Sequence, residues 1–156
     1  MRVTICAVGR LRAGPEQDLI TDYLQRFDRT GRALGLGPAR VVEVEDKKGG
    51  GMAAEADLLS RALPAGALIV TLDERGRAMT SPEFAAEMAA ARDQGRQELA
   101  LVIGGADGIA PELRARADWS LSFGKMVWPH MLVRVMLSEQ IYRAATILSG
   151  SPYHRA

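Results

Sequence analysis

Apolar and polar positions along the chain define two kinds of segment: short runs that are apolar throughout and longer segments that are apolar on one side. The short runs are typical of strands buried on both faces of a parallel sheet, and the longer ones of amphipathic helices. Strands are predicted at 2–8, 41–44, 67–72, 98–103 and 118–123. Helices are predicted at 15–29, 52–63, 80–92, 111–116 and 131–148. This alternation predicts an α/β fold with a largely parallel sheet flanked by helices.

The polar connections between these segments differ in composition. Residues 31–38 are rich in glycine and are predicted to form a loop, and residues 73–77 are predicted to form a turn. Residues 46–51, Asp-Lys-Lys-Gly-Gly-Gly, are either a surface connector or a substrate-contacting loop. Thr80 and Glu83 have the spacing of a capping box, which predicts the start of a helix.

The strand at 98–103 runs directly into a glycine-rich turn. Gly104, Gly105 and Gly108 let the backbone come close to a ligand, and ligands of open α/β sheets bind outside the carboxyl ends of the strands. The same residues also suit a tight strand-to-helix turn with no ligand. Their spacing matches neither the dinucleotide fingerprint G-x-G-x-x-G nor a nucleoside triphosphate loop, so the turn by itself names no ligand.

The segment 131–148 is the longest helical pattern, and it is apolar on more than one side. One row contains Leu132, Met136 and Gln140, and another contains Val133, Leu137, Ile141, Ala144 and Leu148. A helix that is apolar nearly all round is either central in the fold or at an interface. In a chain of this size we favour a homodimer interface over simple burial, because twofold dimers are the commonest oligomers.

Length and composition fit one domain that spans residues 1–156. Cys6 is the only cysteine and lies in an apolar strand, so a disulfide within one chain is excluded and a core position is predicted. The chain has no apolar run of membrane-spanning length and no signal-peptide pattern. We expect a protein of the reducing cytoplasm that is neither secreted nor inserted in a membrane.

The balance of charge changes along the chain. Formal net charge is only +1 at pH 7, which argues against a protein that holds nucleic acid by overall attraction. From residue 123 onward, however, a single acid, Glu139, accompanies the basic residues Lys125, Arg134, Arg143 and Arg155. This imbalance predicts a basic C-terminal face that would suit an anionic partner.

Candidate chemistry is limited by the residues that are absent. With two histidines, His130 and His154, and no cysteine pair, no metal site is expected, and no Gly-x-Ser-x-Gly motif is present. A metal-free group transfer remains open. His130 follows Pro129 and is predicted to be a helix N-terminal residue, and Glu139 and Arg143 are spaced for a salt bridge within a helix.

The last residues of the chain, Ser151-Pro-Tyr-His-Arg155, allow two interpretations. A segment so near the C-terminus is usually a frayed tail. A tail with an aromatic ring, an imidazole and a guanidinium can also stack on a base and contact phosphate.

Four motifs, in order, resemble one known family. They are Leu101-Val-Ile-Gly-Gly-Ala-Asp-Gly108, Ser120-Leu-Ser-Phe-Gly-Lys-Met-Val-Trp-Pro-His130, Arg134 with Glu139-Gln-Ile-Tyr-Arg-Ala144, and Pro152-Tyr-His-Arg155. Together they resemble the ribosomal RNA large subunit methyltransferase H family, a group of small SPOUT-class methyltransferases with an α/β knot. The resemblance covers essentially the whole chain.

The resemblance implies a homodimer whose C-terminal part forms a deep trefoil knot, with S-adenosylmethionine bound in a cleft between three knot loops. The implied reaction is methylation of N3 of a pseudouridine in 23S rRNA on the assembled 70S ribosome. Carried over by motif, the cofactor-binding residues are Leu72, Gly105, Gly124, Lys125, Met126, Val127, Trp128 and Pro129. The helix that begins near His130 would line the dimer interface.

The resemblance also suggests which residues meet the RNA. Arg143, Tyr153 and Arg155 are assigned to substrate binding. His154, reaching from either subunit, is a candidate general base for N3, and a role in positioning the RNA is an equal alternative. No metal is needed, since the methyl donor is already reactive and the protein must chiefly align the reacting atoms.

Two points qualify the resemblance. The chain departs from the family pattern at Gly124 and Val127, which stand where small hydroxyl residues are frequent.

The alternative function is a non-catalytic ribosome-associated binding protein with the same fold, and binding of S-adenosylmethionine would separate the two. Because the chain is short and nearly neutral, we expect specificity to depend on the shape of the assembled ribosome.

Overall fold

A computed structural model gives the fold and describes residues 1–155; Ala156, the last residue of the predicted domain, lies outside the described residues. The strands are β1 (Arg2–Val8), β2 (Ala39–Val44), β3 (Leu68–Ala78), β4 (Glu98–Ile103) and β5 (Trp119–Ser122). The α-helices are α1 (Pro15–Gly31), α2 (Gly51–Ala62), α3 (Ser81–Asp93), α4 (Pro111–Arg116) and α5 (His130–Ser149).

The five described strands form one sheet with the order β2-β1-β4-β3-β5, and every pair of neighbours is parallel. All six residues of β4 are buried, as expected for a central strand covered on both faces. The predicted α/β fold with a parallel sheet is therefore confirmed. All carboxyl ends of the strands lie at one edge of the sheet, which we call the carboxyl edge.

Apolar residues pack in two layers, one on each face of the sheet. On one face α1, α3 and α5 cover alternate residues of β1 and β4, including Ile5 and Leu101. On the other face α2 and α4 cover the intervening residues, including Cys6 and Val102. The predicted core position of Cys6 is confirmed, and burial raises the pKa of its thiol to about 11.

Local sequence signals predicted some elements correctly and missed others. The Thr80 hydroxyl accepts a hydrogen bond from the Glu83 backbone N–H at 3.2 Å, and the Glu83 carboxylate accepts one from the Thr80 N–H at 3.1 Å, so the capping box is confirmed. The loop predicted at 31–38 contains a short 3₁₀ helix, Arg32–Leu34.

The turn predicted at 73–77 is wrong, because β3 continues through Ala78. Strand β3 pairs with β5 up to Leu72 and the register then shifts. Pairing with β5 resumes at Arg77, which lies opposite Leu121. A Cβ added at Gly76 would lie 2.7 Å from the Ser120 carbonyl, so glycine here permits close approach of the two strands. The polar, glycine-containing segment therefore marks a bulge rather than a turn.

Burial within the chain explains much of the apolar character of α5. Leu137, Ile141 and Ala144 are fully buried against the rest of the same chain, which corrects the preference for an interface along that row. Exposed apolar side chains occur only in its first turn, where Met131 and Leu132 are 42% and 41% exposed. In the part of the chain that the structure describes, no helix is long and apolar enough to cross a membrane.

Of the four basic side chains of the predicted C-terminal face, Arg134 and Arg143 are engaged within the chain, while Lys125 and Arg155 are exposed. Arg134 is 2% exposed, and its Nη1 lies 2.7 Å from the Glu43 carboxylate. Its Nη2 donates to the backbone carbonyls at the end of β1. Arg143 pairs with Glu139 at 2.6 Å, as the helical spacing predicted. Local sequence could not reveal that β2 supplies a partner for Arg134.

Candidate active site

A cavity of about 590 Å³ opens at the carboxyl edge, beside β4, β3 and β5. Three segments form most of its wall: the end of β3 from Leu72, the turn 104–109 after β4, and the loop 124–128 after β5. These segments meet because their strands are neighbours in the sheet. The volume lies within the range of roughly 300–1,000 Å³ typical of small-molecule sites.

The glycine turn after β4 is closed by a hydrogen bond from the Gly108 N–H to the Gly105 carbonyl, at 3.0 Å. Gly105 does not have a positive φ, so its conformation does not demand glycine. A Cβ added there would, however, lie 2.8 Å from a carboxylate oxygen of Glu55 in α2. Glycine at this position therefore allows the Glu55 carboxylate to pack directly on the turn.

The environment of Glu55 is unfavourable for a negative charge. Burial raises the pKa of its carboxyl, and the nearby carboxylates of Asp107 and Asp46 raise it further, while His130 opposes the shift. Glu55 forms no ion pair within residues 1–155. An acidic side chain with no cationic partner thus stands behind the wall of the cavity.

The backbone after Leu72 is held by the carboxylate of Asp73. This side chain is only 7% exposed and accepts a hydrogen bond from the Arg75 N–H at 2.8 Å. The Arg114 guanidinium, from α4, donates to the same carboxylate at 3.2 Å. Asp73, Arg75 and Arg114 all line the cavity, so this ion-pair network fixes one of its walls.

The loop between β5 and α5 is anchored at one end and exposed beyond it. The Ser122 hydroxyl accepts a hydrogen bond from the Gly124 N–H at 3.1 Å, which fixes the start of the loop. Further along, the side chains of Met126, Val127 and Trp128 are 74%, 85% and 41% exposed. Apolar side chains at this level of exposure, beside a cavity, suggest a ligand or partner surface.

Most of the predicted cofactor-binding residues lie around this cavity. Those that line it are Leu72, Gly105, Gly124, Met126, Val127 and Trp128. Lys125 and Pro129 belong to the same loop but do not line the cavity. Their roles in cofactor binding remain predictions, and the structure establishes only their common location.

His130 is a cavity residue that the sequence identified only as the start of a helix, a position that is confirmed. Its Nδ1 atom is buried and has no hydrogen-bond partner among the described residues. Asp73, Asp107 and Arg114 were also missed as residues of the site. Their position just after the predicted strands, or in the helix following the glycine turn, was the available signal.

The predicted RNA-binding residues form a second cluster on α5. The Glu139 carboxylate accepts hydrogen bonds from Arg143 Nη2 at 2.6 Å and from the Tyr153 hydroxyl at 2.9 Å. Arg143 Nη1 lies 3.2 Å from Nδ1 of His154, and the Tyr142 and Tyr153 rings are 4.7 Å apart. The tail is therefore packed on α5 and is not frayed, although Arg155 is exposed.

Burial and the hydrogen bond to Glu139 raise the pKa of Tyr153 to about 12, so its phenol is a hydrogen-bond donor at neutral pH. The charge of Arg143 is stabilised chiefly by its hydrogen bond to Glu139, which raises its pKa. The cluster thus presents a neutral phenol and a fixed guanidinium at the C-terminus of the chain.

The two groups of predicted residues are separated within one chain. The cavity meets α5 at His130 and Val133, and the cluster is built on Glu139, six positions beyond Val133. At about 1.5 Å per residue, this spacing corresponds to roughly 9 Å along the helix axis. No residue of the C-terminal cluster lines the cavity of its own chain.

The arrangement is suited to binding an organic ligand with apolar and polar parts. Leu72, Leu121 and Met126 offer apolar contacts, and the glycine turn offers backbone groups. Among residues 1–155 there is no group of three or more histidine, cysteine, aspartate or glutamate side chains that could hold a metal ion. The fold and cavity define an α/β protein with a candidate ligand site at the carboxyl edge of its sheet.

Comparison with known proteins gives the class. The family model described as "Predicted SPOUT methyltransferase" matches residues 1–154. A solved structure described as a probable methylase family protein from Haemophilus influenzae Rd KW20 has a TM-score of 0.54 and 14% identity, covering 99% of this chain and 70% of that one. At that identity the likeness shows the fold alone.

Curated relatives give the family. The chain is 77% identical over 155 residues to proteins named ribosomal RNA large subunit methyltransferase H from Ruegeria sp. (strain TM1040) and from Ruegeria pomeroyi, with 99% of both chains covered in each case. The chain therefore belongs to the ribosomal RNA large subunit methyltransferase H family of SPOUT methyltransferases. The resemblance seen in the sequence motifs is confirmed.

Proposed function

We propose that this protein transfers the methyl group of S-adenosylmethionine to N3 of a pseudouridine in 23S rRNA on the assembled 70S ribosome. The family supports methyl transfer, and the name of the relatives supports a ribosomal RNA substrate. The observation that carries the cofactor is the cavity at the carboxyl edge, where six of the eight residues expected from the family motifs converge.

The cavity fits the proposed cofactor in size and in chemistry. Its volume, about 590 Å³, can enclose an adenosyl group with a methionine chain. Leu72 and Leu121 offer an apolar slot for adenine, and the turn 104–109 offers backbone hydrogen bonds. Asp73 at the wall is paired with Arg75 and Arg114, whereas Glu74 and Asp107 form no ion pair within residues 1–155 and favour a cationic ligand over an anionic one.

When bound, the cofactor supplies a methyl group on a positively charged sulfur, so no metal is needed to activate it. The protein then has to hold N3 of the pseudouridine in line with the transferred carbon and the departing sulfur. The Asp73–Arg114 network and the Glu55–Gly105 contact fix two walls of the cavity in advance. N3 also has to lose its proton, and the methyl group replaces it.

We propose a homodimer in which one subunit supplies the cavity and the other supplies the C-terminal cluster. None of the cluster residues lines the cavity of its own chain, which supports this proposal. Arg143, Tyr153 and Arg155 would contact the RNA, and His154 would either accept the N3 proton or position the base. The exposed apolar patch, formed by Met126, Val127, Trp128, Met131 and Leu132, supplies a surface for the contact.

The remaining features of the proposal follow the family. They are a single domain over residues 1–156, a C-terminal trefoil knot formed by the segments around the cavity, and a cytoplasmic location. Because the formal net charge of +1 gives little overall attraction to RNA, the shape of the assembled ribosome would supply much of the specificity.

The experiment that tests the proposal is transfer of labelled methyl from S-adenosylmethionine to ribosomal particles that lack the modification. Intact 70S ribosomes, 50S subunits and naked 23S rRNA are offered in parallel. We expect transfer to 70S ribosomes alone. Transfer to naked rRNA would contradict the dependence on assembled shape, and no transfer to any of them would contradict the proposed substrate.

A titration with S-adenosylmethionine separates this proposal from the alternative, a non-catalytic ribosome-associated protein. We expect saturable binding by the wild-type protein. Ribosome binding without any binding of S-adenosylmethionine would favour the alternative.

Substitution of Arg143 tests the assignment of the C-terminal cluster. The Arg143→Ala variant should lose most methyl transfer while it still binds S-adenosylmethionine, because the guanidinium is remote from the cavity of its own chain. Unchanged methylation of ribosomes by this variant would contradict the assignment.

A further inference from the structure

Several arginines of this chain, including two near the C-terminus, are already paired with carboxylates. Arg134 and Arg143 are paired with Glu43 and Glu139, and Arg75 and Arg114 are both engaged by Asp73. A carboxylate partner offsets part of the positive charge of a guanidinium, so basic side chains without such a partner attract phosphate more strongly. Further basic side chains, with no carboxylate partner, lie outside the C-terminal segment.

Four exposed basic side chains lie on two loops at the carboxyl edge. Arg10 and Arg12 lie between β1 and α1, and Lys47 and Lys48 lie between β2 and α2. None of the four takes part in an ion pair within the described part of the chain. We call these four residues the basic rim.

The two loops lie side by side because β1 and β2 are neighbouring parallel strands. Val8 and Val44, at the two strand ends, are in register, and the Gly9 N–H donates to the Val44 carbonyl at 2.8 Å. The Leu11 N–H donates to the Glu43 carboxylate at 2.6 Å, which joins the first loop to β2. The two loops that carry the basic rim are therefore neighbours at the carboxyl edge.

These loops border the cavity. Met52, in the first turn of α2, lines the cavity, and α2 begins directly after the second loop. A Cβ at Gly9, in the first loop, would lie 4.0 Å from the ring of the cavity residue His130. A nucleotide brought to the methyl group of a cofactor in the cavity would thus have its neighbouring phosphates near these loops.

The second loop has a defined shape. The Asp46 carboxylate accepts hydrogen bonds from the Lys48 N–H at 3.2 Å and from the Gly51 N–H at 3.1 Å. Glu45, which is exposed, is the other acid of this loop. The carboxylate of Asp46 is thus used to hold the backbone, and both lysine side chains remain free to point outward into solvent.

We propose that the basic rim binds phosphates of the RNA on either side of the nucleotide to be methylated. The inference rests on the proposed function, since it takes an RNA as the substrate. Lysine and arginine contacts to phosphate release counterions and fix the register of the nucleic acid without reading its sequence. Such contacts suit a protein whose net charge, +1, gives no general attraction to RNA.

The test compares paired substitutions with a matched control. The rim variants are Arg10→Gln with Arg12→Gln, and Lys47→Gln with Lys48→Gln. The control is Arg29→Gln with Arg32→Gln, which removes the same charge from exposed arginines that are also outside the ion pairs of residues 1–155. These two lie at the end of α1, which runs back to the opposite edge of the sheet.

The KM for 70S ribosomes is measured against salt concentration, with kcat and the Kd for S-adenosylmethionine determined on the same preparations. Each rim variant should raise KM at least about tenfold at physiological salt, because two phosphate contacts are lost. The slope of log kcat/KM against log salt should become shallower by about two. The kcat, the Kd and the control variant should stay near wild type.

Outcomes that overturn the inference are distinct from those that overturn the proposed function. An unchanged KM and salt slope in both rim variants, or an equal change in the control, would overturn the inference alone. A wild-type protein that transfers no methyl group to ribosomes would overturn the proposed function. In that case the affinity of each variant for 70S ribosomes is measured by co-sedimentation, which tests the rim without catalysis. The salt dependence of binding should become shallower in the rim variants, and an unchanged dependence, or an equal change in the control, would overturn the inference.

Discussion

At the scale of single residues, the contact between Gly105 and Glu55 predicts how substitutions at these two positions change the affinity for S-adenosylmethionine. A Cβ at position 105 would lie 2.8 Å from the Glu55 carboxylate, on the side of α2. The Gly105→Ala variant should therefore displace the turn and weaken binding of S-adenosylmethionine about tenfold, or about 1.4 kcal/mol. In a Glu55→Ala background the space is free, so the same substitution should cost at most about threefold. Calorimetric titration of the four proteins measures the coupling.

A penalty for Gly105→Ala that is the same in both backgrounds would contradict this account. It would mean that the added methyl group disturbs the cofactor directly and that Glu55 has no part in the requirement for glycine.

Stability should depend on pH through Glu55. Its folded-state pKa is raised, mainly by burial, above the value near 4.3 of an exposed glutamate. A raised pKa means that the folded state binds the proton more tightly, so stability is lost as pH rises through the folded pKa. The Glu55→Gln variant should therefore melt about 1–2 °C higher at pH 7, a small gain because the side chain is partly exposed.

This gain should disappear below about pH 4, where the wild-type carboxyl is protonated in both states. Thermal melts from pH 3.5 to 8 provide the measurement, with Asp57→Asn in the same helix as the control. A wild-type protein that is more stable than Glu55→Gln at pH 7 would show that the carboxylate has a favourable partner.

At the scale of elements, the ion pair between α5 and β2 ties the long helix to the sheet. Arg134 is buried and bonds to Glu43 and to the last carbonyls of β1. Its removal leaves these groups unpaired, so Arg134→Ala should cost about 3–5 kcal/mol. Arg26→Ala, which breaks an exposed pair with Asp22, should cost less than about 1 kcal/mol. Urea unfolding compares the two, and equal costs would contradict the structural role of Arg134.

Elements specified by local sequence were predicted well. The uniform apolar run of β4 and the capping box of α3 each contain their own signal within a few residues. The extension of β3 beyond Leu72 depends on pairing with β5, more than 40 positions away. The folding of Tyr153 onto Glu139 also depends on tertiary contact, and neither appears in local periodicity.

The candidate site was also predicted only in part. Its motif residues were found by resemblance, and they meet because β4, β3 and β5 are neighbours in the sheet. The pairing of Arg134 and the basic rim could not be predicted, because they depend on which strands are adjacent and on which charges are already neutralised.

At the scale of the whole molecule, the proposed dimer can be tested with two exposed leucines. Leu132 lies in the exposed apolar patch and is 41% exposed, while Leu19 on α1 is 45% exposed and outside it. A buried glutamate without a partner is costly, so Leu132→Glu should weaken dimerisation by about 100-fold or more. Leu19→Glu should remain dimeric. Light scattering after gel filtration measures the mass, and a Leu132→Glu dimer of unchanged affinity would contradict the proposed interface.

The most direct test of the proposed activity is to map methyl groups on 23S rRNA in a bacterial strain that lacks this modification, with and without the gene for this protein. Mass spectrometry of nuclease fragments identifies both the nucleotide and the atom that carries the methyl group. The account predicts one methyl group on N3 of a pseudouridine, present only with an intact gene. A methyl group at another atom or nucleotide, or none at all, would contradict it.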